Sequence, residues 1–216
     1  MKKPPCSAGE GPSARRAGRP RAFDRTKALE TALKLFWSYG YEPVSVACLC
    51  SEMGIKPPSF YAAFESKESL FIEATLYYEK KYWSEPLSRF EDASDPIAKA
   101  LGEFFQEAAG ILLSPQNPSG CMAVLAAMNI SPDASRISEL VNKIRRETKL
   151  FFKRRLDLAQ QQGELKPDAD TSSLADAFNI FLEGMSVQAK DGMSLERLQQ
   201  AASMAPLILH PWLVRK

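Results

Sequence analysis

The 216 residues carry a net charge of only +2, with 45% hydrophobic and 25% charged side chains, a balance that suits a soluble globular chain with core enough for one or two domains. No stretch approaches the roughly 20 apolar residues of a membrane helix, and the basic start, MKKPPCSAGEGPSARRAGRPR, lacks the apolar run of a secretory signal. A cytoplasmic protein with no membrane partner is therefore expected.

Charge is unevenly placed. Residues 1–22 hold six basic side chains against the single acid Glu10, net +5, which leaves −3 for the rest. This stretch, rich in Gly, Pro, Ser and Arg, cannot bury enough apolar surface to fold alone and reads as a disordered basic arm. Such an arm on a mildly acidic body suggests a polyanion partner, most simply nucleic acid, the alternative being a solvated tail. Arg19 and Arg21, nearest the folded part, are the arm's candidates for DNA contact.

From Asp24, a plausible N-cap, the repeat Ala28-Leu29, Ala32-Leu33, Phe36 and Tyr39 predicts a helix ending at Gly40. Ser45 caps a second short helix with Val46, Leu49, Cys50 and Met53 inward. Gly54 tolerates the left-handed backbone of a sharp corner. Pro57 and Pro58 suit the opening of a third helix, where a missing N–H costs nothing. Phe60 and Phe64, four residues apart, anchor it, leaving Ser59, Ala62 and Ala63 outward and Tyr61 at the rim. Helix, glycine turn and a short second helix with small outward residues is the layout of a helix-turn-helix, whose second helix enters the DNA major groove.

Ser66 caps the next helix, expected to run through Leu70, Phe71, Ala74, Tyr77 and Tyr78 to Trp83, with Glu85-Pro86 as its boundary. One rod would then belong to both halves of the molecule. Pro96 opens a helix to Ser114, Cys121–Ile130 reads as a short buried helix, and Ser131-Pro132 breaks it. A long amphipathic helix over 133–161 places Ile137, Leu140, Ile144, Phe151 and Leu158 inward. Its Lys143, Arg145, Arg146, Lys149, Lys153, Arg154 and Arg155 are mostly outward, as a solvated face rather than an anion site.

Two more helices start near Asp170 and Ser194, separated by Asp191-Gly192, and Pro206 kinks or ends the last. Their surplus apolar surface, with Phe178, Phe181, Leu182, Met185, Leu198 and Ala202 named for it, suggests half of a four-helix seam in a homodimer. The alternative is that both complete a monomeric core. Cys6, Cys48, Cys50 and Cys121 show no metal-site spacing, and a buried, structural Cys121 is favoured over a redox switch. No Ser/His/Asp set, phosphate-cradling loop or ligand cluster accompanies the lone His210, so no cofactor, metal or catalytic residue is expected.

Gly40-Tyr41, Ser45-Val46, Leu49, Gly54-Ile55, Ser59-Phe60-Tyr61, Phe64, Ser66-Lys67-Glu68 and Leu70 together resemble the N-terminal signature of the TetR/AcrR family of bacterial repressors. The match covers residues 22–71 and departs from the family at Ala47 and at Ala62-Ala63, where polar residues are frequent. The resemblance implies an all-α fold. A helix-turn-helix domain over 23–68 would join a larger helical domain over 69–216 that binds an effector and dimerises.

It further implies a ligand-responsive regulator, a repressor that binds a palindromic operator in double-stranded DNA as a homodimer and is released by a small, largely apolar effector. Tyr61 and Lys67 would contact phosphates as the matching family positions do, and Lys56 the backbone or a guanine. Ser59, Ala62 and Ala63 would face base edges, with Ser45 beside them. Effector-lining candidates are Trp83, Phe104, Phe105, Met122, Met128, Phe151 and Phe178. An enzyme, or a helical receptor without specific DNA binding, is the alternative.

Overall fold

The computed structural model describes residues 24–92, 94–128 and 130–214. Its ordered elements are helical, apart from an isolated antiparallel bridge between Leu165 and Leu213. Helix α1 (Arg25–Tyr39) starts where expected, with the Asp24 carboxylate accepting the Lys27 N–H at 3.1 Å, and ends at Gly40. Helix α2 (Val46–Met53) is capped by Ser45, whose hydroxyl accepts the Cys48 N–H at 3.1 Å. Gly54 has φ 67° and ψ 33°, and the Ile55 N–H reaches back to the Cys50 carbonyl at 3.0 Å, closing the corner. Helix α3 (Pro57–Phe64) follows at once, with Phe60 and Phe64 buried as expected and Val46 only half-buried.

The exit from α3 is strained. Glu65 has φ 62° and ψ −52°, and the Ser66 N–H bonds the Phe64 carbonyl at 2.6 Å, a γ-turn with positive φ on a residue that carries a Cβ. Helix α4 (Lys67–Tyr78) then begins at the Ser66 cap.

The chain does not stop before Pro86. A π-helical turn (Glu79–Trp83) leads straight into α5 (Ser84–Glu91), so one helical rod runs from Lys67 to Glu91 with Pro86 inside it. At the junction the Ser84 N–H bonds the Glu79 carbonyl five residues back. The proline falls in the first turn of α5, where its missing N–H and ring are tolerated, and the expected boundary becomes a widened turn.

Helix α6 (Ile97–Leu112) leads to the Gly120 turn and α7 (Met122–Leu125). The expected helix over 121–130 stops at Leu125 because neighbours take the carbonyls that would extend it. Arg145 Nη2 bonds Val124 O at 2.9 Å and the Tyr41 N–H bonds Ala126 O at 2.9 Å. Helices α8 (Ser135–Gln161) and α9 (Thr171–Lys190) pack as a long hairpin, followed by α10 (Leu195–Ala202) and a 3-10 turn (Ala205–Leu209).

Phe90, Phe104, Phe105, Phe151, Phe152 and Phe178 interlock between α5, α6, α8 and α9, with ring centroids 5.0–6.1 Å apart. Arg155 departs from the expected outward face. It is 2% exposed, Nη2 bonds Asp95 O at 2.5 Å, and Nε and Nη1 have no partner among the described residues. Several other basic residues of α8 hold acids: Lys143 pairs with Glu147, Lys149 with Asp176, Lys153 with Asp157 and Arg154 with Glu91.

The N-terminal helices are bolted to this body through Trp37, whose buried indole N–H donates to the Gly120 carbonyl at 2.7 Å. Gly120 itself has φ 84°, and a Cβ there would stand 2.4 Å from Leu125 Cδ1 and 2.9 Å from the Ser186 carbonyl. The next N–H, of Cys121, donates to the buried Ser186 hydroxyl at 2.7 Å. Trp37→Phe strands that carbonyl and leaves a gap, so a loss of about 2–4 kcal/mol is expected, read as a lower urea midpoint. Glu65→Gly relieves the γ-turn and, after glycine's larger unfolded-chain entropy, gains roughly 0.5–1 kcal/mol. A lower melting temperature for that variant would show the turn to be unstrained.

Candidate nucleic-acid interface and internal cavity

Helix α3 presents one face. Phe60 is fully buried and Phe64 nearly so, while Lys56, Ser59, Tyr61 and Ala62 are exposed and Ala63 is half-buried. The small side chains at Ser59 and Ala62 let the helix backbone approach a flat edge closely, and Tyr61 is 52% exposed. Ser45 is exposed, but its hydroxyl is committed to capping α2. Arg19 and Arg21 lie outside the described residues.

Lys67 has a setting that spacing did not suggest. Its ammonium lies 4.1 Å from the centroid of the Tyr41 ring and donates to the Glu42 carbonyl at 3.4 Å, and burial lowers its pKa. Beside it Tyr41 packs against Phe36 and Phe71, with centroids 6.2 and 5.2 Å away. Sequence reading missed Arg25. Its guanidinium grips Glu73 of α4 at 2.5 and 2.7 Å, reaches the Ala63 carbonyl at the end of α3 at 3.4 Å, and lies over the Phe64 ring at 4.9 Å. The Glu73 hydrogen bond raises its pKa. Arg25 thus fixes the carboxyl end of α3 to α1 and α4. The available signal was a basic residue one position past the Asp24 cap.

Four further contacts tie this unit to the body. The Tyr41 N–H meets Ala126 O, and the Ser131 N–H donates to Glu42 Oε1 at 2.7 Å. Arg136 pairs with Glu68 at 3.2 Å, and Lys190 donates to the Ser38 carbonyl at 3.1 Å.

The body holds a cleft enclosing about 510 Å³, part of it open to solvent. Its walls come from the π turn (Glu79, Trp83), Leu87, Phe104, Cys121, α7 (Ala123, Val124), α8 (Ile144, Arg145, Thr148) and α9 (Asn179, Leu182, Glu183). Of the seven expected lining residues, Trp83 and Phe104 are on these walls. Phe105, Met122, Phe151 and Phe178 are consumed by core packing, since aromatic and apolar side chains between helices first fill one another's gaps, and Met128 is 60% exposed. Residues of the expected seam are also buried within the subunit: Phe178, Leu182, Met185, Leu198 and Ala202 face its own helices, and Phe181 is half-buried.

Two cavity groups are electrostatically unusual. Burial, with Glu147 nearby, pushes the Glu79 carboxyl up to about 7. Burial and then Glu79 push the Cys121 thiol up to about 12, which leaves it un-ionised and a poor nucleophile at neutral pH. Among the described residues no group of three His, Cys, Asp or Glu side chains could hold a metal, and His210 is exposed.

Comparison with known proteins agrees with this geometry. Residues 28–74 match the family described as bacterial regulatory proteins, tetR family, and residues 98–204 match the tetracyclin repressor-like C-terminal domain. The chain is 34% identical to the HTH-type transcriptional repressor ComR of Escherichia coli (strain K12), over 92% of this chain and 94% of that one. It is 30% identical to the HTH-type transcriptional repressor BdcR of the same strain, over 87% and 90%. Among solved structures, a cysteine mutant of the TetR family transcriptional regulator CifR, complexed with 26-base-pair double-strand operator DNA, superposes with a TM-score of 0.81. It is 36% identical and the match covers 88% of this chain and 98% of that one. The chain belongs to the TetR family of bacterial regulatory proteins, a DNA-binding transcriptional regulator rather than an enzyme.

Proposed function

We propose that the protein is a repressor that grips a palindromic operator as a homodimer and lets go when a small, largely apolar molecule enters the cleft of its helical body. The observation that carries the DNA reading is α3 itself: two aromatic anchors behind, small side chains in front, and Arg25 clamping its end. Ser59 and Ala62 face base edges, the alanine offering apolar contact to a thymine methyl. Tyr61 and Lys56 reach phosphates. The Lys67 and Glu68 amides that open α4 offer another phosphate contact, with the Lys67 ammonium held over Tyr41 adding charge.

The seam between copies belongs on the opposite face of α9 from the one expected. Ile180 is 69% exposed and Val187 36% exposed, seven residues apart on one stripe with Gly184 between them. A Cβ at Gly184 would meet nothing within 4 Å, and Met204 and Leu207, 52% and 57% exposed, extend the apolar surface past α10. The inward residues of α9 that periodicity singled out serve the subunit's own core, and this outward stripe is what remains for a second copy. A two-fold pair doubles the DNA contact that one short helix makes.

Release follows from how the cleft is walled. The π turn belongs to the rod that begins beside α3, and α7 holds the turn after α1 through Ala126 O. A molecule that spreads these walls favours a placement of α3 in which the two copies no longer match the operator.

Duplex DNA from upstream of the protein's own gene and an unrelated duplex test the reading. Lys56→Ala should weaken both alike and reduce the salt slope of binding by about one unit. An unchanged slope would remove Lys56 from the phosphate contacts. The double substitution Ile180→Glu with Val187→Glu places charge on the seam and should weaken self-association by at least roughly 3 kcal/mol, seen as monomers in sedimentation, and abolish operator shifts. A persistent dimer would put the seam elsewhere.

A further inference from the structure

The cleft holds one carboxylate without a partner among the described residues. Arg145 donates to the Val124 and Ala123 carbonyls at 2.9 and 3.4 Å, and Glu183 accepts the Asn179 amide at 3.2 Å. The Glu79 carboxylate has no hydrogen bond or ion pair among the described residues. It stands on the π turn with Trp83, against Leu87, Phe104, Val124, Ile144 and Leu182. A carboxylate facing apolar walls costs free energy unless a donor or cation joins it.

We propose, building on the effector-cleft reading above, that the effector is a small apolar, ring-bearing molecule with one protonated amine, whose ammonium is received by Glu79 in the cleft that Trp83 and Phe104 also line. The walls suit the body of such a molecule. Trp83 is held in place by its own indole N–H, which donates to the Tyr78 hydroxyl at 2.9 Å, and an ammonium near an aromatic face gains a further attraction. The charges around the site select against the opposite ligand. Glu183 from α9 and Glu147 from α8 repel an anion, and the cationic Arg145 is occupied with α7 carbonyls. The remaining groups facing Glu79 are the thiol of Cys121 and the hydroxyl of Tyr78, both held neutral by burial.

Binding of an ammonium requires the ionised carboxylate. Because burial holds Glu79 near 7, a cation must displace its proton at acidic pH and finds it ionised at alkaline pH. Affinity for an amine therefore rises about tenfold from pH 6 to pH 8, while a neutral ligand of equal size shows no such trend.

The experiment compares 3-phenylpropylamine, 3-phenylpropanol and 3-phenylpropanoate by titration calorimetry on the full chain at pH 6 and pH 8. The amine should bind about tenfold tighter than the alcohol at pH 8, the advantage should shrink about tenfold at pH 6, and the propanoate should bind weakest. Glu79→Gln should bind the alcohol as before and lose both the preference for amine and its pH dependence. If that variant does not fold, the pH dependence of the native protein decides. Equal binding of amine and alcohol, or tightest binding of the propanoate, overturns the assignment to Glu79 and leaves the cleft as an effector site. Binding of none of the three overturns both.

Discussion

The junction of the two halves is centred on a buried hydrogen bond, from the Trp37 indole to the carbonyl of Gly120. A three-helix unit built on α1–α3 has too little core to stand by itself, and this bond, with Tyr78 and Tyr82 packed edge-on to the indole at 4.7 and 5.4 Å, joins it to the larger one. Gly120 fits because its positive φ and missing side chain let the backbone pass between Leu125 and Ser186. The same turn thereby touches α1, α6 and α9, the last through the Ser186 hydroxyl.

That junction also supports the proposed coupling between the cleft and α3. Cys121, the residue after Gly120, lines the cleft, and so do two residues of α7, whose following carbonyl holds the turn after α1. On the other side, the π turn contributes Glu79 and Trp83 to the walls and continues into the rod that starts at Ser66. Both routes are made of short packed contacts rather than long loops, as the proposed release requires.

Polar groups divide the surface by function. On α8, Lys143, Lys149, Lys153, Arg145 and Arg154 are occupied by neighbouring acids or carbonyls, which leaves no continuous row of free cations. Just before α3, Lys56 stands exposed at the N-cap near small, uncharged side chains. Arg25, which is basic and close by, is held by Glu73 and the Ala63 carbonyl and serves position rather than contact.

What the sequence determined by itself was everything that rests on neighbours in the chain: the Asp24, Ser45 and Ser66 caps, the Gly54 corner, the proline opening of α3 and the buried pair Phe60 and Phe64. These features use hydrogen bonds and side-chain spacings within four residues, so the local pattern suffices. Tertiary structure decided the rest. Pro86 looked like a stop and became part of a helix because a π turn before it changed the bonding register. Phe105, Phe151 and Phe178 shared the helical spacing of Phe104, but only packing could tell which rings fill the core and which face a gap. Arg155 read as part of a solvated face; its burial follows from how separate helices meet, a distance in space that spacing along the chain does not encode.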